Sequence, residues 1–295
     1  SYDYARSGLE SYYNEELAGT SPVQSVGRLV DLITGRQSQG ANISTTLNPR
    51  AQAAAVSALG DQQGAVVAMN YETGEILALV STPTYDPNRL ATVDLEVARE
   101  AWTELLDSPT EPLKNRATRE IYPPGSTFKL VTAAAALEDG MVPSSELDAP
   151  ASLPLPNSSR SIGNSTNCGG TTVTLQQALQ TSCNTAFGSL ALDLGDEKLR
   201  AMAEAFGFNQ EPTVDIAAAT SRFPAELDEA QTALSAIGQY DVAASPLQIV
   251  QVAAAIANDG VMMSPYLVST VTSQDLTVLS SRTPEAIGQP ISRVL

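Results

Sequence analysis

The chain has 295 residues, 43% of them hydrophobic, with 16 basic against 33 acidic side chains and a net charge of −17. It is long enough for one large core plus an appendage, and its charge has the wrong sign for nucleic acid or an anionic membrane surface as the main partner. It contains no histidine and two cysteines, which excludes a Ser-His-Asp triad, a histidine-ligated zinc and a four-cysteine zinc site; the reading includes no metal and no cofactor.

Residues 1 to 48 begin polar and tyrosine-bearing. A helix-like pattern follows in Val23–Ile33 (Val26, Leu29, Val30, Ile33), then a loop over 34–40 and a strand-like alternation in Asn42–Leu47. Asn48-Pro49 supplies an N-cap and a first-turn proline for a helix that Gly60 stops. Gly64–Asn70 and Glu75–Ser81, joined by Tyr71-Glu-Thr-Gly74, read as a hairpin whose near-continuous apolar character implies cover on both faces. Residues 91 to 107, with Trp102, read as a helix. Tyr122-Pro-Pro-Gly125 is a rigid approach to a helix that starts at Ser126 and continues through the apolar run Leu130–Leu137.

The stretch Met141–Thr172 is rich in Pro, Ser, Asn and Gly and reads as a long loop, the kind that serves a function or acts as a lid. Helices are expected over 174–181, 184–193, 196–206, 227–237 and 246–258, the last opened by Ser245-Pro246 and closed by Gly260. Strand-like pieces come last, at Tyr266–Val271 and Leu276–Leu279. A hairpin, then many helices, then strands argues an α+β fold with an antiparallel sheet flanked by helices. No apolar run is long enough to cross a bilayer, so either the chain is soluble or an N-terminal anchor lies outside the sequence.

The chemistry-bearing residues cluster at the 122–138 helix. Ser126 and Lys129 are three apart and share a helix face, so the hydroxyl and the amine can meet. A serine hydroxyl becomes a good nucleophile only when a base takes its proton, and a lysine serves only when neutral. From a reference pKa of about 10.4 that requires a fall of roughly 3 units near pH 7, or about 4 kcal/mol. Burial by Leu130–Leu137 acts in that direction. The helix start also aims backbone amides and a positive dipole end toward a developing oxyanion. The chain has only Lys114, Lys129 and Lys198 as lysines, so the pairing stands out from composition.

A second motif, S-x-N, occurs at Ser165-Thr-Asn167, inside a polar loop, and at Ser182-Cys-Asn184, between two helices. The second is the candidate: its hydroxyl can relay a proton and its amide can hold a substrate carbonyl. Serine and asparagine are also ordinary helix caps. Cys168 and Cys183 either pair in an oxidising compartment or remain two free thiols.

S-x-x-K followed by S-x-N resembles the signature of penicillin-recognising serine acyltransferases. The wider set, Gly64–Met69, Thr73–Asn88, Asn115–Thr118, Tyr122–Lys129, Ile237–Gln239 and Ser245–Gln248, resembles a class B penicillin-binding protein transpeptidase domain over about residues 42–275. Ser182–Phe187 is similar to the penicillin-binding protein A group of actinobacteria. The resemblance implies a transpeptidase domain over 49–295, with residues 1–48 the remnant of an N-terminal pedestal. It implies D,D-transpeptidation of peptidoglycan, with Ser126 as the acylated nucleophile and Lys129 as its general base. Ser182 would be the proton relay and Asn184 the residue that holds the stem peptide. The implied partners are stem peptides ending in D-Ala-D-Ala, β-lactam antibiotics and cell-division or elongation proteins. The implied location is the extracytoplasmic face of the cell membrane, with a single N-terminal anchor, and there a Cys168–Cys183 bond would pin the long loop to the S-x-N turn.

One departure is plain. The family's third motif, Lys-Thr-Gly or Lys-Ser-Gly, is absent, since no lysine precedes Thr-Gly or Ser-Gly. The expectation is a sequence that stops short of that motif, lacking one wall of the cleft and inactive as it stands. A serine β-lactamase and a non-catalytic β-lactam sensor or divisome scaffold are the alternatives. The first would need a residue to place a deacylating water, and Glu146 and Asp148 are isolated in the 141–172 stretch.

Overall fold

The structure, a computed structural model, describes residues 7–24, 40–92 and 94–292. In chain order it contains α1 (Gly8–Tyr12), α2 (Asn14–Leu17), β1 (Asn42–Thr45), α3 (Pro49–Leu59), β2 (Gly64–Met69), β3 (Ile76–Thr82), α4 (Leu95–Leu106) and α5 (Lys129–Glu138). Four short strands follow, β4 (Glu146–Asp148), β5 (Ser152–Pro154), β6 (Ser161–Gly163) and β7 (Thr172–Thr174), then α6 (Leu175–Gln180), α7 (Asn184–Leu194), α8 (Asp196–Ala205), α9 (Glu229–Ser235) and α10 (Pro246–Ala257). The last elements are β8 (Met262–Met263), β9 (Val268–Thr272), β10 (Val278–Ser281) and β11 (Ala286–Gly288). The helix-like pattern and loop expected over 23–40 fall almost wholly outside the described residues.

The chain forms two compact units, neither continuous in sequence: Ser1–Arg119 with Thr213–Ala218 and Ser264–Glu285, and Glu120–Pro212 with Ala219–Met263 and Ala286–Leu295. In the first unit β1, β9 and β10 form a three-stranded antiparallel sheet in the order β1-β9-β10, and β2 pairs with β3 as the expected hairpin. Helix α3 lies on that hairpin through Ala55, Ala78 and Val80. The Gln52 amide grips strand backbone, donating to the Leu79 carbonyl at 2.9 Å and accepting the Leu79 N–H at 2.9 Å. The Asn48 side chain caps α3 by accepting from Arg50 N and Ala51 N. The hairpin is less enclosed than its composition implies. Along β3, buried Ile76, Ala78 and Val80 alternate with half-buried Leu77, Leu79 and Ser81, and β2 is half-buried throughout, so the hairpin is fully covered on one face of β3 only.

The second unit is built around α5, whose residues Lys129 and Val131–Ala136 are all buried. Four consecutive alanines let α8 and α7 approach it closely. Ahead of α5, Gly125–Phe128 is a 3₁₀ turn, so Ser126 sits in a tighter lead-in and the α-helix proper begins at Lys129. Phe128 anchors the turn: its ring meets Phe208 edge-on at 5.4 Å and stacks on Phe223 at 5.7 Å between centroids.

The segment 236–244 holds this turn from behind. Tyr122 and Ala244 exchange backbone hydrogen bonds of 3.0 and 2.9 Å, and Gly125 N–H donates to the Gly238 carbonyl at 3.0 Å. Gly238 has φ +70°, and a Cβ there would lie 2.2 Å from Gly125 O, so only glycine fits. The Thr132 hydroxyl donates to the buried Ala236 carbonyl at 2.7 Å.

Two further expectations change. The stretch 141–172 is not a structureless loop: β4 pairs with β7, and β5 with β6. Strands of three residues are too short to show alternation in sequence. The antiparallel sheet is also divided, among the described residues, into one three-stranded and four two-stranded sheets. The fold is α+β, and its named strand pairs are antiparallel. No described helix is long and apolar enough to cross a membrane.

Thr132→Val removes the donor that satisfies the Ala236 carbonyl and is expected to cost about 1–3 kcal/mol of unfolding free energy, measured by urea denaturation. A loss below about 0.3 kcal/mol would show that this bond does not brace α5.

Candidate active site

Lys129 is the residue on which the site converges. It is 1% exposed. Its Nζ lies 3.2 Å from Ser126 Oγ, 3.0 Å from Ser182 Oγ, 2.8 Å from the Ser182 carbonyl and 2.6 Å from Asn184 Oδ1. The Phe187 ring lies 5.7 Å from it. All four acceptors are neutral. Burial lowers the Lys129 pKa from 10.5 to about 8. Four acceptors around the amine favour its protonated form, so desolvation is the stronger of two opposing effects. At pH 7 the amine is then neutral in about one molecule in ten, against about one in three thousand at a pKa of 10.5.

The neutral amine has two hydrogens and one lone pair. With the hydrogens on Asn184 Oδ1 and the Ser182 carbonyl, the lone pair is left for a hydroxyl, either that of Ser126 or that of Ser182. The arrangement can therefore accept a proton from one serine and pass it by way of the other.

Of the two S-x-N sequences, the structure brings Ser182 and Asn184 to Lys129. Ser165 and Asn167 lie in an exposed turn, where Asn167 Oδ1 accepts the Gly169 N–H. Ser182 has φ +53°, a left-handed conformation that a non-glycine residue keeps only when its surroundings enforce it. Its N–H bonds to the Leu179 carbonyl at 3.1 Å, and Cys183 N–H to the Ala178 carbonyl at 2.8 Å, which closes the end of α6.

Cys183 is bonded to Cys168, with Cα atoms 5.3 Å apart, so of the two states open from sequence the chain adopts the disulfide. The Thr166 hydroxyl adds a bond to the Thr181 carbonyl at 2.6 Å. The stretch 141–172 thus braces the Ser182-Cys-Asn184 turn.

Sequence reasoning missed Gly163 and Asn164, which touch this turn directly, because an asparagine in a polar loop carries no local signal. Among the described residues there is no group of three or more His, Cys, Asp or Glu that could hold a metal ion.

Exposed Ser126 beside buried Lys129, facing Ser182 and Asn184, brings Ser-x-x-Lys and Ser-x-Asn together at one amine in an α+β fold. Residues 64–293 match the penicillin binding protein transpeptidase domain, and the chain belongs to that family; residues 1–43 match the penicillin binding protein A dimerisation domain. The chain is 46% identical to the peptidoglycan D,D-transpeptidase PbpA of Mycolicibacterium smegmatis, covering 99% of this chain and 61% of that protein. It superposes on the crystal structure of PBPA from Mycobacterium tuberculosis with TM-score 0.95 and 42% identity, covering 100% of this chain and 69% of the other. It also superposes on the penicillin G acyl-enzyme complex of that protein with TM-score 0.94 and 42% identity, covering 99% and 69%. The chain thus spans about three-fifths of the length of the curated relative.

The Cys168–Cys183 bond closes a loop with a sequence separation of 15, a length for which the constraint is worth about 3 kcal/mol. Replacing both cysteines by alanine should lower the unfolding free energy by about that amount in a denaturant titration. A loss under 1 kcal/mol would mean that the hydrogen bonds alone hold the turn.

Proposed function

We propose that this chain is part of a peptidoglycan D,D-transpeptidase acting through an acyl-enzyme on Ser126. The observation that carries the reading is the contact of one buried, neutral-prone amine with Ser126, Ser182 and Asn184 together. Its similarity to the peptidoglycan D,D-transpeptidase PbpA of M. smegmatis supports it, as does the penicillin G acyl-enzyme of the M. tuberculosis protein.

In this mechanism neutral Lys129 takes the Ser126 proton as Oγ attacks the carbonyl of the penultimate D-Ala of a stem peptide. The oxyanion forms against the positive end of the turn and helix that begin at Gly125. The amide C–N bond breaks, the leaving D-Ala nitrogen receives the proton through Ser182, and the acyl group stays on Ser126. The amine of a second stem then attacks the ester carbonyl and gives its proton to Lys129. The C–O bond breaks, Ser126 recovers its hydrogen, and the new amide cross-links the two stems. Asn184 Oδ1 faces Lys129, and one amide N–H is held by the Gly163 carbonyl at 3.0 Å. The other is free to hold the stem backbone.

A β-lactam mimics the D-Ala-D-Ala amide and acylates the same oxygen. The disulfide fits an oxidising compartment, and with it the extracytoplasmic face of the membrane. Residues 1–48 fit the end of a pedestal ahead of a transpeptidase domain over 49–295.

In the complete natural protein, labelled penicillin is expected on the tryptic peptide from 120 to 129, which contains Ser126, and Ser126→Ala should abolish it. Lys129→Ala should slow acylation by about 10²–10⁴-fold. Because the neutral amine is the reactive form, the rate should climb up to pH about 8 and level off above it. An adduct on another residue, or a rate flat between pH 6 and 9, would overturn the reading. Rapid hydrolysis of the adduct would favour a β-lactamase.

A further inference from the structure

Helix α7 begins immediately after the Ser182 turn, and its start lacks the usual cap. The N-cap residue is Cys183, whose side chain makes no capping hydrogen bond because its sulfur is bonded to Cys168. The first backbone N–H groups of a helix have no partner within it and need one from elsewhere. Here the partner comes from 21 residues away. Asn164 Oδ1 accepts the Thr185 N–H at 3.0 Å, and Asn164 Nδ2 donates to Thr185 Oγ1 at 2.9 Å. Thr185 is fully buried, so neither of its groups has water as an alternative. The preceding residue acts on the neighbouring position: the Gly163 carbonyl takes one N–H of the Asn184 amide at 3.0 Å, which leaves Asn184 Oδ1 turned toward Lys129 Nζ at 2.6 Å.

We infer that Asn164 is a positioning residue for acyl transfer, a cap supplied in trans that sets the start of α7 and through it the Ser182 and Asn184 groups bound to the Lys129 amine. It touches neither substrate nor reacting atoms. It acts along the path Asn164, Thr185, Asn184, Lys129. Its role is separate from that of the disulfide, which fixes Cys183 by its sulfur but fixes neither the Thr185 N–H nor the rotation of the Asn184 amide. The left-handed Ser182 supplies the need. A turn under backbone strain relaxes unless both of its ends are held, and Asn164 holds the end that leads into α7.

The inference rests on the transpeptidase reading, and the experiment separates the two. In the complete natural protein, acylation by fluorescent penicillin is followed to completion for the parent, Asn164→Ala and Asn164→Asp. An aspartate keeps the acceptor for the Thr185 N–H and can accept the Thr185 hydroxyl hydrogen, so it preserves the clasp. Asn164→Ala is expected to acylate about tenfold more slowly, the scale of a lost helix cap. Its final labelled fraction should equal that of the parent, and Asn164→Asp should return to within about threefold of the parental rate.

A purely structural role would instead reduce the labelled fraction and leave the rate of the remaining folded molecules unchanged, which would overturn the inference. So would an Asn164→Ala rate equal to the parent's, or an Asn164→Asp rate as slow as alanine's. If Asn164→Ala does not fold, Asn164→Ser, with a hydroxyl too short to reach Thr185, takes its place and is read in the same way. A parent that is not acylated at Ser126 would overturn the transpeptidase reading and this inference together.

Discussion

An amine sealed from water among neutral acceptors is the constraint on which the rest of this molecule depends. Lys129 opens a helix whose next eight residues are alanine, valine, leucine and threonine, and is 1% exposed. Burial alone would strip the amine of its charge at a large cost, and a carboxylate partner would restore the charge and end its use as a base. The chain adopts neither extreme. It offers two hydroxyls, one carbonyl and one amide oxygen. These satisfy the amine's hydrogens in either protonation state and leave desolvation to set a pKa of about 8. The site is thus poised where proton transfer in both directions is accessible near neutral pH.

Two supports on opposite sides of Lys129 keep that geometry. On the Ser126 side, the Gly125–Gly238 contact and the Phe128, Phe208 and Phe223 cluster fix the 3₁₀ turn that carries this serine. On the Ser182 side, the Cys168–Cys183 bond, the Thr166 and Asn164 hydrogen bonds and the β5–β6 hairpin hold that serine in a left-handed conformation. Each support comes from chain remote in sequence from the motif it holds. A short motif such as S-x-x-K therefore says little until the fold around it is known.

The parts that were legible in sequence carry their own local chemistry. The Asn48-Pro49 and Ser245-Pro246 signals mark helix starts that the structure reproduces, and both side chains make the capping bonds. The Ser126–Lys129 pairing follows from helix spacing, since residues three apart meet even when the first lies in a 3₁₀ turn. The choice of Ser182 over Ser165 rests on a second local cue, a position between two helices. The β4–β7 and β5–β6 pairs were illegible because three-residue strands show no period. The disulfide was undecidable because spacing does not fix Cα separation. Asn164 was invisible because its role exists only after β6 has folded against α7.

The proposed chemistry depends on the protonation state of one side chain, and a chain with only three lysines makes that directly observable. Carbon-13 labelling of the lysine ε-carbons and an NMR titration from pH 6 to 11 should show one signal with a midpoint near pH 8, absent in Lys129→Met. A Lys129 midpoint at pH 10 or above would mean that the amine stays charged at neutral pH, and would contradict its assignment as the base.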